Sequence, residues 1–406
     1  MKKTFYPALC MVVLFTLLFG ACEKAPEQKA FEEKEEQKKA EKYVSFEEAK
    51  RQIKSFEEKS VRDFHFGKPV DISEMKDISV IKLKPYRDSS PKKLEETLAA
   101  VWDMYKNTDW DKAEVNESSR EDNNRAYTKT DRESGNFYSC DTTTGFFAGN
   151  TKSIWERELW LDSCVKQYDF RKESISENQK KDAWPVGGKD VTVGEAVAYT
   201  EERLNQNLAP LEKKEFQYKV QLLYVLQDEE TKNCDFSMVI GRVYRGVSLA
   251  TQSDFDNNEE GKYPWRHCGS HILIIMRDGC EIDYFNVCDE VYGIASAQKQ
   301  EKIISPEWAV EKMDREIAHI GGASCSFYGL VYLLTQKRGE EKTPDGFEYS
   351  YSHVDENTYL RPYWIFASPA HWDFREGQEH DDGLEEITLI DAADGSLYYY
   401  QMTGGY

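Results

Sequence analysis

The stretches SFEEA (45–49), TVGEA (192–196) and SPEWA (305–309) decide the predicted fold, because each one opens a helix in the same way. Each begins with Ser or Thr, whose hydroxyl can accept a free backbone N–H at a helix N-terminus. Acidic residues follow in the first turn, where they favour the positive end of the helix dipole. The sequence therefore predicts three helices with related starts, which form a weak internal repeat.

Runs typical of β-strands follow the second and third of these starts. Residues 216–226 and Cys234–Tyr244 come after the second, and residues 327–335, 360–367 and Leu397–Met402 come after the third. A helix followed by an antiparallel meander buries its apolar stripe on one face of the sheet. We therefore expect an α+β fold built from tandem helix-plus-antiparallel-sheet units, one at residues 189–300 and one at residues 301–406.

The region ahead of these units is expected to be a separate N-terminal α+β domain at residues 45–188, because 406 residues exceed the usual size of one core. A strand is predicted at residues 77–83 and a helix at residues 91–106. Residues 109–134 are polar and charged and predict a long surface loop. Residues 137–160 are rich in Gly and aromatic side chains and predict further strands.

The first 22 residues have the composition of an export signal. Lys2 and Lys3 precede an apolar run that is too short for the ~20 residues of a membrane span. The run ends in Leu-Phe-Gly-Ala-Cys, which resembles the lipobox of bacterial lipoproteins. The resemblance implies a signal peptide at residues 1–21 and a lipid, such as palmitate, on Cys22. Residues 22–44 then form a charged tether rich in Glu, Lys and Gln.

Charge narrows the possible partners. The formal net charge is -21 at pH 7, which argues against nucleic acid, since phosphates require a basic surface. The same charge argues against adsorption to anionic lipid. The lipid on Cys22 would then be the membrane attachment, on the extracytoplasmic face of the cell membrane, in the cell envelope.

Seven cysteines remain after Cys10 and Cys22, and an exported protein can form disulfides. Two strands around Arg277-Asp278-Gly279 predict a hairpin in which a three-residue loop places residue 276 opposite residue 280. That register puts Cys268 opposite Cys288, close enough for a disulfide. A two-residue turn would shift the register. The alternative is that several of the cysteines are reduced and buried as small apolar residues.

The C-terminal stretches LRPYWIF (360–366) and ITLIDAADGSL (387–397) resemble the end of PepSY-type domains and of related extracytoplasmic domains in Gram-positive regulatory and spore-cortex proteins. The layout of lipobox, tether and repeated units is similar to that of uncharacterised clostridial lipoproteins. The resemblance is structural: Trp364 and Phe366 alternate onto one face of a strand, and Gly395 permits the hairpin. It implies PepSY-like or cystatin-like units with a non-catalytic, protein-binding or regulatory role.

Three groups of side chains are candidates for chemistry. His371, His380, Asp381 and Asp382 share one loop, but their spacing imposes no metal geometry. Residues 254–265 begin like a calcium loop, yet the required Gly and the final acid are missing. His267 and His271 flank Cys268, where strand-end histidines are the simpler explanation than a Cys/His nucleophile.

The sequence thus predicts a non-enzymatic binding or regulatory lipoprotein with an envelope protein as its partner and with no cofactor or metal. One alternative is a cell-wall-active hydrolase that uses two unrecognised carboxylates. The other is a solute-binding lipoprotein, which would normally have two βαβ-rich lobes.

Overall fold

The computed structural model describes residues 42–61, 64–85, 91–119, 125–141, 145–150, 163–171, 176–250, 265–268, 272–287, 292–317, 326–337, 357–367 and 385–402. The chain divides into two units, Met1–Val44 and Ser45–Tyr406. Four α-helices lie in the described ranges: α1 (Phe46–Lys54), α2 (Pro91–Val101), α3 (Val193–Asn207) and α4 (Pro306–Ile317). None of these helices is long and apolar enough to cross a membrane.

The three predicted helix starts are confirmed. The Ser45 hydroxyl accepts the Glu48 N–H at 3.2 Å ahead of α1. Thr192 and Glu195 form a reciprocal capping box ahead of α3. The Ser305 hydroxyl accepts the backbone N–H of Trp308 at 3.3 Å ahead of α4.

The strands are numbered in chain order. Those of the first half are β1 (Tyr43–Ser45), β2 (Lys59–Val61), β3 (Phe64–Phe66), β4 (Ser79–Pro85), β5 (Glu114–Ser119), β6 (Arg125–Thr130), β7 (Asn136–Asp141), β8 (Gly145–Asn150), β9 (Cys164–Asp169), β10 (Ala183–Val186) and β11 (Lys189–Thr192). Those of the second half are β12 (Gln217–Gln227), β13 (Cys234–Tyr244), β14 (Val247–Ser248), β15 (Trp265–Cys268), β16 (Ile272–Asp278), β17 (Glu281–Val287), β18 (Tyr292–Lys299), β19 (Lys302–Ile304), β20 (Ser326–Lys337), β21 (Thr358–Ala367), β22 (Glu385–Asp391) and β23 (Leu397–Met402).

A twelve-stranded sheet runs in the order β9–β12–β13–β16–β17–β8–β7–β6–β5. Strands β10 and β14 also pair with β13, and β11 pairs with β10. Helices α2 and α3 contribute to the apolar core on one face of this sheet. Trp102, just after α2, donates its indole N–H to the Asp283 carbonyl of β17 at 2.8 Å. Asp103 binds Arg203 of α3 at 2.8 Å, so the chain after α2 is fixed between α3 and the sheet.

A seven-stranded sheet has the order β15–β20–β21–β22–β23, and β4 lies beside β21 with β18 on its far side. One face of this sheet carries Trp364 and Phe366, which are fully buried. Trp364 donates its indole N–H to the Ile304 carbonyl at 3.0 Å, just ahead of α4. Phe366 stacks on Phe327 with ring centroids 4.6 Å apart.

The two sheets meet where β14 ends. Leu249 forms a parallel bridge with Tyr332 of β20, and the Ala250 N–H donates to the Tyr332 carbonyl at 2.8 Å. Arg242 of β13 lies 4.7 Å from the ring centre of Tyr292, which belongs to β18 in the other sheet. Backbone bonds and buried side chains therefore join the sheets into one body.

The predicted α+β arrangement of tandem helix-plus-antiparallel-sheet units, PepSY-like or cystatin-like, is wrong. The structure is mostly β, with two large sheets whose strands come from distant parts of the chain. Strand β18 pairs with β4 across more than two hundred residues, β17 pairs with β8, and β15 pairs with β20. The pattern of apolar and polar residues within a segment indicates where a strand forms. Which strands pair depends instead on which apolar faces can bury each other, and those faces come from distant segments.

The predicted loop at 109–134 is also wrong in part, since it contains β5 and β6, which pair through six residue pairs. These strands lie at the outer end of the twelve-stranded sheet. Polar side chains suit that position because an outer strand is half solvated, and the composition alone therefore resembled a loop.

Candidate functional site

Titratable side chains gather on the face of the seven-stranded sheet opposite Trp364. Strand register brings them together: His267 of β15 lies opposite Thr335, and Tyr363 of β21 lies opposite Asp391 of β22. Arg361 is two residues before Tyr363 and therefore projects from the same face. With Tyr398 of β23, these side chains form what we call the His267 cluster: His267, Thr335, Arg361, Tyr363, Asp391 and Tyr398.

His267 is the centre of this cluster and is only 2% exposed. Its Nε2 lies 2.9 Å from the Tyr363 hydroxyl. The imidazole also makes edge contacts with the rings of Tyr363 and Tyr398, at centroid distances of 5.0 and 4.6 Å. Burial raises the pKa of Tyr363 well above its ordinary value, and nearby Asp391 adds to the shift. Tyr363 is therefore a neutral phenol at physiological pH.

Asp391 is fully buried and is held by several donors. The Arg361 Nε donates to one carboxylate oxygen at 2.7 Å, and the Ala393 N–H donates to the other at 2.7 Å. Burial raises the pKa of Asp391, whereas Arg361 opposes the shift. Arg361 also reaches half-exposed Asp394 at 3.0 Å. This network ties β21 to the turn between β22 and β23.

Burial disfavours the ionised forms of the two phenols in this cluster. An activated nucleophile needs a lowered pKa or an adjacent base that can take its proton during attack on a bound substrate. Burial instead disfavours the phenolate of Tyr363 and raises the pKa of Tyr398 to about 12. Apolar side chains surround the cluster: Leu333, Ile365, Ile387 and Leu389. His267 is bonded to Tyr363, and Arg361 is bonded to Asp391, so these two buried pairs link β15 to β21 and β21 to β22.

The described cysteines show no activation. Burial raises the pKa of Cys140 to about 12, and it also raises the pKa of Cys164, Cys234 and Cys280. Because the thiolate is the nucleophilic form, the raised pKa values keep these four side chains in the less nucleophilic thiol form at neutral pH. In the described ranges there is also no group of three or more His, Cys, Asp or Glu side chains that could hold a metal ion.

The register behind the predicted Cys268–Cys288 disulfide is wrong. The hairpin turn is Gly279-Cys280, so Asp278 lies opposite Glu281 rather than residue 276 opposite 280. Gly279 has a φ of 67° and its N–H donates to the Val186 carbonyl, so that β10 sets this two-residue turn. Cys268 belongs to the other sheet, opposite Leu334. Cys288 lies outside the described residues, and the disulfide itself stays a prediction.

The other predicted site residues fall into two groups. Trp364, Phe366 and Gly395 lie in the seven-stranded sheet and its last turn, where Gly395 has a φ of 81° and donates its N–H to the Asp391 carbonyl at 2.8 Å. The rest lie outside the described residues: Cys22, His271, residues 254–264, His371, His380, Asp381 and Asp382.

Sequence reasoning missed Arg361 and Asp391 as partners, as well as a second buried pair formed by Arg242 and Glu212. Arg242 Nε donates to Glu212 Oε1 at 2.9 Å, and both side chains are at most 1% exposed. A single charge inside an apolar strand, as in MVIGRVY (238–244), is the signal that could have indicated a buried ion pair.

Comparisons with known proteins give information about the fold and none about the activity. No protein-family model matches the chain, and no curated protein matches it. A crystal structure of an uncharacterized protein from Eubacterium rectale ATCC 33656 is similar, with a TM-score of 0.53 and 14% sequence identity. The match covers 87% of this chain and 98% of that one. At this identity the likeness concerns the fold alone.

Proposed function

We propose that the chain is a lipoprotein, anchored through lipid on Cys22 to the extracytoplasmic face of the cell membrane, and that it acts there as a non-catalytic protein-binding or regulatory module. The observation that carries the proposal is the arrangement of residues 1–22: a basic start, a short apolar run and a cysteine directly after Gly-Ala. The resemblance to uncharacterised clostridial lipoproteins supports the same anchoring.

Two features of the body support a binding role. The buried acids and bases of the His267 cluster are bound to one another, which suits a scaffold better than a reactive centre. The described thiols and buried phenols have raised pKa values, whereas nucleophiles need the opposite shift. Extended antiparallel sheets offer broad surfaces and free strand edges to a partner protein.

Lipid attachment is tested by metabolic labelling with an alkyne fatty acid in a Gram-positive host that expresses the full chain. We expect label on the wild-type protein in the membrane fraction and no label on Cys22→Ala. Cys10→Ala is the matched control, because Cys10 lies inside the signal, and it should keep the label. Label on Cys22→Ala, or none on the wild type, would contradict the anchoring.

Protein binding is tested by chemical cross-linking of intact cells, followed by purification of the lipidated chain and mass spectrometry. The proposal predicts a defined envelope protein in the cross-linked product. Recovery of only lipids and the background seen with an unrelated lipoprotein would contradict it.

A further inference from the structure

Strand β18 is the outer strand of one side of the seven-stranded sheet. It pairs with β4 along its length, and within the described part of the chain it has no second strand partner. The order on this side of the sheet is β18–β4–β21. Within the described ranges, one edge of β18 is therefore open to another strand.

The register shows which backbone groups face this open edge. The Gln300 N–H donates to the Ile78 carbonyl at 2.8 Å, and the pairs Gln298↔Val80 and Ser296↔Lys82 follow in step. In an antiparallel ladder, residues that bond to the partner strand alternate with residues that face away from it. Ala297 and Lys299 therefore direct their N–H and C=O groups away from β4.

The start of the same edge already holds a carboxylate. The Ile294 N–H, which also faces away from β4, donates to Oε2 of Glu215 at 2.8 Å. A bulge between Ile294 and Ser296 ends this covered portion. The regular stretch beyond the bulge, residues 296–299, is the part of the edge that remains open.

Exposure sets this stretch apart from the rest of the strand. Tyr292 and Gly293 are buried, whereas residues 295–299 are all exposed although successive side chains point to opposite faces. Neither face of this stretch is thus covered. Natural proteins usually protect such an edge with inward charges, proline or a covering segment.

Two lysines lie on or across β18 in a protein whose net charge is -21. Lys299 belongs to the open stretch itself. Lys84 of β4 lies across β18 at Gly293, where an added Cβ would come within 3.5 Å of its Cε. Neither of these lysines has a carboxylate of the described residues within ion-pair distance. One acid, Glu301, follows Lys299 two residues later.

We propose that the open edge of β18 at residues 296–299 binds an extended acidic segment of a partner protein by β-strand addition. The N–H and C=O groups of Ala297 and Lys299 supply the main-chain hydrogen bonds, and the lysines attract the acidic side chains. This inference rests on the proposed protein-binding function and specifies the chemistry of the partner.

The test uses the full-length chain in detergent and a fluorescein-labelled peptide with alternating Glu and Val, blocked at both ends. Fluorescence anisotropy measures binding. We expect saturable binding that weakens at least about tenfold in Ala297→Pro, which removes one outward N–H without removing a bond to β4. The matched control, Ala297→Ser, keeps that N–H and should bind like the wild type. The double variant Lys84→Glu with Lys299→Glu should also lose binding, and it tests the site without a proline.

Four results would overturn the proposal. One is equal binding of a Lys/Val peptide of the same length, and another is unchanged affinity in both Ala297→Pro and the double lysine variant. The third is binding of a peptide whose central residue is proline. The fourth is a concentration-dependent dimer that Ala297→Pro abolishes, since the edge would then serve a second copy. If cross-linking in cells still captures a partner and Ala297→Pro does not change the yield, the edge proposal fails while the protein-binding function stands.

Discussion

Glu212→Gln is expected to destabilise the protein strongly, because it removes the carboxylate charge that faces the buried guanidinium of Arg242. The two side chains are 0% and 1% exposed, and their polar atoms lie 2.9 Å apart. The Tyr218 hydroxyl donates to the second carboxylate oxygen at 2.5 Å. Arg242 also lies over the ring of Tyr292, at the junction of the two sheets.

The magnitude follows from this burial. Removing one partner of a buried, hydrogen-bonded ion pair costs about 3–5 kcal/mol of the free energy of unfolding. At about 2 °C per kcal/mol for a large domain, the thermal midpoint should fall by about 6–10 °C. Removing both charges, in Glu212→Gln with Arg242→Met, should recover most of the loss because no uncompensated charge remains.

Thermal unfolding and urea titration of the four proteins of this mutant cycle measure the effect. Lys189→Met is the matched control, since it breaks an ion pair of similar length, 2.8 Å, whose side chains are both 59% exposed. Its midpoint should not move, because solvent screens such pairs. Burial raises the pKa of Glu212, whereas Arg242 and Tyr218 oppose the shift. A midpoint of Glu212→Gln equal to that of the wild type would mean that the carboxyl is already neutral, and it would refute this reasoning.

Three further predictions concern other parts of the body. Burial tends to raise the pKa of Glu95, but hydrogen bonds that include one from Lys129 outweigh burial and lower the pKa below 4.5. The charged carboxylate therefore stabilises the fold above that pH. Glu95→Gln should unfold at a lower urea concentration than the wild type at about pH 7, and the difference between the two midpoints should shrink at about pH 3. A deficit that grows on acidification would contradict this sign. Trp364→Phe loses the indole bond to the Ile304 carbonyl and buried volume, and it should lower the free energy of unfolding by about 2 kcal/mol in urea titration; an unchanged midpoint would contradict the packing. Gly246→Ala should lower the thermal midpoint more than Gly188→Ala, because both need positive φ but only at Gly246 would the new Cβ also lie 3.1 Å from a backbone oxygen; equal losses would exclude the clash.

The sequence predicted elements far better than partners. Strands β13 and β23 match their predicted bounds residue for residue, and the caps at Thr192 and Ser305 form as expected. These features depend on neighbouring residues, so local pattern suffices. The pairing of β18 with β4 depends on contacts across more than two hundred residues, which a single sequence does not encode locally.

The candidate site was less predictable for the same reason. The sequence predicts that His267 lies at a strand end. Its partner Tyr363 is 96 residues away, on a strand whose side chains are predicted only to pack. The open edge of β18 was invisible because residues 295–299 have an ordinary, weakly polar composition. Only the sheet order shows that this strand is an outer one.

Site-specific photo-cross-linking in living cells tests most directly whether the chain binds a partner protein. A photo-reactive amino acid is placed at Ala297 on the open edge and, in a matched control, at Val165, which is 45% exposed on a strand of the other sheet. The proposed protein-binding function predicts a covalent adduct with one acidic envelope protein from position 297 and none from position 165. The same background from both positions would contradict it.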